Sequence, residues 1–306
     1  MTLKSGTRVK HSTRTDWGLG EVLFDEEDNH VEILFEDVGE IKRFKLDIAK
    51  FTIVDGDEAC SDYLSALVRS FHAQSKDPKT QIKKTVLTSS FPKAAQKFLS
   101  YFPAGFNDPK YLVGQTGERE YKLAAIQLMA NLLNQQVFGE LIEAQNFDEI
   151  CTRAKSVINK TNLIHTYEKI WLTNALSSLE NREAFSRSLF NLLYGTDSLQ
   201  SRFEKFSSVL YQINAAKWPI ATYFLFIGAP DTQIFVKPQV TQNAADILNI
   251  SINYRPDLNW LTYSQVLTLA ESIKDKLKKT NNPDLLPRDM IDVQSFIWVI
   301  APGYFY

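Results

Sequence analysis

Apolar residues change their spacing once along this chain. Near the start, Val31, Ile33 and Phe35 alternate with polar neighbours, while Gly18, Gly20 and Gly39 interrupt short strand-like runs. A period of two predicts β-structure, and about five short strands fill the stretch. Beyond it the period lengthens. Leu64, Leu67, Val68 and Phe71 fall at i, i+3, i+4 and i+7, and Leu123, Ile126, Ala130, Leu133 and Val137 repeat that helical stripe. Leu199, Phe203, Phe206, Leu210 and Ile213 predict another helix. Val266, Leu269, Ile273 and Leu277 predict one more, opened by Thr262 with Gln265 at capping-box spacing. Pro287 suits the first turn of a last helix near 287–300. The organisation read from spacing is a small all-β module at residues 1–56 and a mainly α-helical domain at residues 57–306.

Two stretches break the helical period. One runs from Phe102-Pro103-Ala104-Gly105-Phe106-Asn107-Asp108-Pro109-Lys110-Tyr111 into Gly117-Glu118-Arg119-Glu120-Tyr121-Lys122. The other spans Lys217-Trp218-Pro219 to Phe235-Val236-Lys237-Pro238-Gln239. It begins as an apolar helix and turns at a lysine-proline pair, after which Val240, Ala244, Ile247 and Leu248 start another helix.

Composition narrows the class. Of 306 residues, 44% are hydrophobic and 23% charged, enough to bury a sizeable core and too apolar for a wholly disordered chain. No apolar run reaches the ~18 residues a bilayer span needs, and MTLKSGTRVKHSTR lacks an apolar signal core. No membrane is expected, and the expected compartment is the cytoplasm. Cys60 and Cys151 have no C-x-x-C spacing, and His11, His30, His72 and His165 are scattered, so neither a disulfide framework nor a zinc motif is present. A glycine-rich phosphate loop and a clustered acidic metal motif are also missing, which disfavours a nuclease or phosphoryl-transfer enzyme. Neither metal nor cofactor is expected.

The overall charge of −2 hides a local contrast. Residues 1–56 carry 8 Lys/Arg against 12 Asp/Glu, whereas residues 67–100 carry Arg69, Lys76, Lys79, Lys83, Lys84, Lys93 and Lys97 against Asp77 alone. Such a basic run is either a solvated face or a surface that binds a polyanion through counterion release. On the second reading Lys83, Lys84 and Lys93 contact DNA. Arg119, Lys122 and Lys217 join them, the first two at a helix start that favours phosphate. An ion pair within the helix is the other use of Glu118, Arg119, Tyr121 and Lys122.

Gly6-Thr7-Arg8-Val9-Lys10-His11, Trp17-Gly18-Leu19-Gly20-Glu21-Val22, Val31-Glu32-Ile33-Leu34-Phe35-Glu36 and Gly39-Glu40 together resemble the small Tudor-like or SH3-like barrels appended to bacterial DNA-processing proteins. Trp17 either caps the barrel core or binds a partner, and the local acidity disfavours direct phosphate contact by this module. The helix, loop and helix around Ala215-Ala216-Lys217-Trp218-Pro219 and Phe235-Val236-Lys237-Pro238-Gln239-Val240-Thr241-Gln242, with Pro287-Arg288-Asp289-Met290-Ile291-Asp292-Val293-Gln294-Ser295-Phe296 as a closing helix, resembles the helix-hairpin-helix (HhH-GPD) DNA glycosylases over about residues 110–300. The family's LPGxG hairpin is absent. Lys237 stands where the family has an aspartate, and Lys217 falls close to the place of the nucleophilic lysine of bifunctional members. A Tudor-like module before such a domain is similar to bacterial anti-phage glycosylases acting on modified cytosines.

The resemblance implies a DNA glycosylase that flips a modified base out of double-stranded DNA, hydrolyses its N-glycosidic bond and leaves an abasic site. Cleavage leaves positive charge on the sugar, so the reaction needs an anion beside C1′ or a neutral amine to attack it. Asp231 is the first candidate carboxylate, with Asp289 and Asp292 as others. Lys237 is a candidate nucleophile or phosphate anchor. Trp218, Tyr223 and Tyr254 are candidates for stacking on the flipped base, and Gln239 and Gln242 for reading its edge. Each aromatic has a core role as its alternative. The rival reading of the whole is a non-catalytic DNA- or polymerase-binding adaptor on a degenerate glycosylase fold, with a protein partner recruited through the N-terminal module.

Overall fold

A computed structural model describes residues 3–36, 41–61, 64, 65, 68, 91–114, 117–302 and 304. The chain forms two compact units, residues 1–87 with 302–305 and residues 88–301 with 306. The first contains a five-stranded antiparallel sheet, and the second is mainly helical.

The strands are β1 (Arg8–His11), β2 (Leu19–Val22), β3 (His30–Phe35), β4 (Ile41–Lys45) and β5 (Phe51–Ile53), in the order β4-β3-β2-β1-β5. Val31, Ile33 and Phe35 point into one core with Leu3, Val9 and Val22. Leu34 enters a second cluster with Leu19, Leu23, Val54, Leu64 and Val68. The sheet is therefore buried on both faces, and period two holds only for the first cluster. Gly20 is required by close approach: a Cβ there would lie 2.7 Å from the Phe35 ring. Trp17 packs half-buried on the core, edge-on to His11 at 5.1 Å and tilted to Phe35 at 5.3 Å, with the Arg14 guanidinium 4.7 Å over its ring.

Twelve α-helices are described: α1 (Phe91–Tyr101), α2 (Pro109–Leu112), α3 (Glu120–Leu132), α4 (Gln135–Glu143), α5 (Phe147–Asn159), α6 (Thr166–Ala175), α7 (Leu179–Tyr194), α8 (Leu199–Gln212), α9 (Trp218–Gly228), α10 (Pro238–Ile247), α11 (Trp260–Lys278) and α12 (Met290–Ile300). Polar side chains cap most of them. Asn134, Asn146, Ser178, Ser198 and Asn259 each accept the backbone N–H of the third residue of the following helix. Helices α9 and α12 are apolar nearly all round, the mark of elements with no solvent face, and they form the centre of the unit. Helix α9 packs on α3, α6, α7 and α8, while α12 packs on α1, α10 and α11.

Three local expectations shift. The stripe from Leu123 to Val137 is two helices broken near Leu133, and its buried line is Lys122, Ala125 and Met129, leaving Leu123 44% exposed. Helix α11 begins at Trp260 with Asn259 as cap, so Thr262 lies inside the helix and its hydroxyl donates to the Asn253 carbonyl. Helix α12 is capped by Asp289, which accepts the Ile291 and Asp292 N–H groups, so Pro287 precedes the helix. The stripe at Leu64 to Phe71 lies largely outside the described residues. No helix among the described residues is long and apolar enough to cross a membrane.

Candidate functional site

The loop after α9 is held from within. Ile234, Phe235 and Val236 are buried, and the Val236 N–H donates to Thr222 Oγ1 at 3.0 Å. The Tyr263 hydroxyl donates to Gln233 Oε1 at 3.1 Å, and the Pro230 carbonyl accepts the Met290 N–H at 2.8 Å. These bonds fix the loop on α9, α11 and α12 and leave its outer turn to solvent. Asp231 sits on that outer turn, exposed, with the Lys274 ammonium at 3.5 Å from its carbonyl oxygen.

Lys237 points the other way. Its Nζ donates to Glu168 Oε2 at 3.1 Å, with the two side chains 14% and 12% exposed. Glu168 is the N3 residue of α6, and its Oε2 also accepts the His165 N–H at 2.8 Å in a capping box. The carboxylate is thus fixed by its own helix before Lys237 reaches it. Lys237 is the N-cap of α10, and Lys217 is the N-cap of α9. Neither makes a side-chain capping bond, and each is followed within two residues by proline. A cation at the positive end of a helix opposes the macrodipole, and lysine does not cap, so two such choices run against local stability. Helix α6 receives both: Glu168 pairs with Lys237, and Trp171 lies 4.1 Å beneath the Lys217 ammonium.

The other residues expected to act with them have partners of their own. Trp218 is buried, stacked on Phe203 at 6.1 Å, and its Nε1 donates to the Arg255 carbonyl at 3.0 Å. Tyr223 is fully buried; its hydroxyl donates to the Val157 carbonyl at 2.7 Å and accepts from Thr161, and burial pushes it far above the usual tyrosine range. Both are core residues, because an apolar helix with no solvent face must bury its aromatics. Tyr254 is half-buried and 6.4 Å from the Trp218 ring. Gln242 donates to the Pro238 carbonyl at 3.2 Å. Gln239 donates to Asn243 at 3.0 Å, while its Oε1 is buried with no partner among the described residues. Gln294 on α12 is 1% exposed, and both amide atoms lack a partner among the described residues.

Arg119 and Lys122 face inward. Arg119 is paired with Asp289 at 2.6 Å and Asp292 at 2.8 Å, and Lys122, 1% exposed, donates to Glu118 at 3.0 Å and Ser295 at 2.9 Å. Asp292 is fully buried and also accepts from the Tyr111 hydroxyl at 2.6 Å and from Arg288. Burial lowers the Lys122 ammonium and raises the Tyr111 and Tyr121 hydroxyls well above their ordinary values. This network ties α2 and α3 to α12, and in it Arg119 and Lys122 have internal carboxylates instead of a phosphate. The same network occupies Asp289 and Asp292. Lys93 is exposed on α1, while Lys83 and Lys84 lie outside the described residues. No group of three or more metal-ligating side chains occurs among the described residues.

The residue pattern marks neither Glu168 nor Gln294. Glu168 is 69 positions from Lys237 in a segment whose histidine cap hides the capping box. Gln294 sits in an apolar run and gives no polar pattern.

A protein family of unknown function, DUF3553, matches residues 3–43, within the sheet unit. No curated protein and no solved structure matches the chain.

Proposed function

We propose that the helical unit is a DNA glycosylase of helix-hairpin-helix type behind a Tudor-like barrel, in which Lys237 and Glu168 form the reacting pair. The observation that supports this most is the 3.1 Å approach of Lys237 Nζ to Glu168 Oε2 at the facing starts of α10 and α6. A carboxylate beside a lysine offers a proton acceptor and, once the ammonium has given up its proton, a nucleophile. Proton transfer from the ammonium to Glu168 frees the amine, which attacks C1′. As the Nζ–C1′ bond forms, the bond from C1′ to the base breaks, its electron pair leaves with the base, and Glu168 returns the proton to it. Transfer of one of the two protons left on Nζ to O4′ opens the sugar to a protonated Schiff base, and water hydrolyses that imine to release the abasic product and the lysine ammonium.

Two buried amides support a base-reading role. Gln239 Oε1 and the Gln294 amide lack partners among the described residues, and the helices that carry them, α10 and α12, pack together. An unsatisfied buried amide is costly unless something completes it, and a nucleobase edge does so. On this reading the substrate is double-stranded DNA carrying a modified cytosine, the setting is cytoplasmic defence against phage, and the barrel recruits a protein partner.

The test is release of free base from duplexes carrying different cytosine modifications. Glu168→Gln and Lys237→Ala are each expected to lower release by about 10²-fold or more, the usual weight of an acid–base group, while Asp231→Asn retains it. Loss confined to Asp231→Asn would return the role to that carboxylate, and DNA binding with no release from any duplex would favour the adaptor reading.

A further inference from the structure

Helix α6 wears its apolar stripe on the outside. Tyr167, Ile170 and Trp171 fall at i, i+3 and i+4, the spacing of a core face, yet they are 38%, 49% and 42% exposed. The helix buries only Leu172 and Ala175. A short helix that leaves three large apolar groups partly exposed is held for a reason other than its own burial. The surroundings state the chemistry of what covers it. Two of the three groups are aromatic, Tyr167 stacks on His165 at 5.4 Å and 20°, and the Lys217 ammonium stands over the Trp171 ring at 4.1 Å. The one carboxylate of the helix, Glu168, is matched by Lys237. Aromatic rings in contact with an imidazole and an ammonium, with the local acid neutralised, complement a chain of bases and phosphates better than they complement an aliphatic protein face.

We propose that the Tyr167–Trp171 face of α6 is a stacking platform for an unpaired DNA strand, with Lys217 set to meet its phosphates. The proposal rests on the reading of this unit as acting on DNA, but uses neither Lys237 nor Glu168 as a reactant. Bases that leave the duplex beside the reacting pair would find a surface that keeps them unstacked from their partners.

The probe is a fluorescently labelled, unmodified 20-nucleotide single strand, with binding followed by anisotropy on the full chain at several salt concentrations. Trp171→Ala is expected to weaken binding about 10-fold, within the range for one base–aromatic stack. Trp171→Phe should restore most of the affinity, and Lys217→Ala should flatten the salt dependence. Trp171 is exposed, so circular dichroism of Trp171→Ala should match the wild type. Equal affinity for wild type and Trp171→Ala overturns the proposal. So does failure of the wild type to bind while Ile170→Glu abolishes self-association, which would make the stripe a protein interface. If Trp171 governs strand binding while no duplex releases a base, the platform stands and the glycosylase reading fails; base release unaffected by normal-affinity Trp171→Ala gives the converse.

Discussion

Arg119 and Asp289 meet through two parallel hydrogen bonds, Nη1 to Oδ1 at 2.9 Å and Nη2 to Oδ2 at 2.6 Å. This fork joins the start of α3 to the cap of α12, and Asp292 lies behind it, fully buried, receiving Tyr111, Arg119 and Arg288 at once. Replacing Asp292 with alanine leaves the Arg119 and Arg288 guanidinium groups without that carboxylate, and the expected loss is about 3–5 kcal/mol. Tyr111→Phe removes the hydroxyl's bond to a charged acceptor and should cost about 1.5–3 kcal/mol. Urea unfolding of the two variants checks the order; a Tyr111→Phe loss equal to that of Asp292→Ala would show that the arginines are not balanced by Asp292.

Asp289 sets an acid dependence. Burial opposes its ionisation, but the hydrogen bonds and charge of Arg119 outweigh that and hold its carboxyl below the ordinary value of 3.8. A depressed folded value means that the unfolded chain takes up the proton first as pH falls. The contribution of Asp289 is therefore complete above pH 3.8 and disappears as pH drops through its lower folded value. Thermal unfolding of Asp289→Asn should be less stable near neutrality and show a shallower decline below about pH 4 than the wild type. Parallel curves for both proteins would remove Asp289 from the acid response.

Gly105 is held by its neighbours as well as by its backbone. Its φ is +57°, and a Cβ would stand 2.0 Å from the Asp284 carbonyl oxygen. Gly114 also has positive φ, +98°, but a Cβ there meets nothing within 4 Å. Gly114→Ala should cost about 1–2 kcal/mol of left-handed strain. Gly105→Ala adds a steric clash with backbone and should cost at least about 3 kcal/mol. Equal losses by calorimetry would mean that the Pro283–Leu285 turn moves aside freely.

What the residue pattern reveals here follows what it encodes. Alternation at Val31, Ile33 and Phe35 and the stripe from Val266 to Leu277 report burial directly, and both elements form where spacing placed them. The stripe through Leu123 is misread by one position because Lys122 is inside, matched by Glu118 and Ser295; hydrophobicity has no symbol for a buried cation with partners. Asp289 displaces Pro287 as the start of α12 because a carboxylate that accepts two N–H groups fixes a helix start more firmly than a proline does. Lys237 stands out at its loop, whereas Glu168 does not, since their meeting is a tertiary contact between positions 69 residues apart. The aromatics Trp218 and Tyr223 look like stacking groups in sequence and are consumed by the core because α9 has no outer face.

The reacting pair is tested most directly by borohydride reduction during reaction of the full chain with a duplex bearing modified cytosine, followed by mass spectrometry of the cross-linked peptide. A stable adduct is expected at Lys237, absent in Lys237→Arg and formed far more slowly in Glu168→Gln. Base release with no adduct, or an adduct on another lysine such as Lys217, would contradict it.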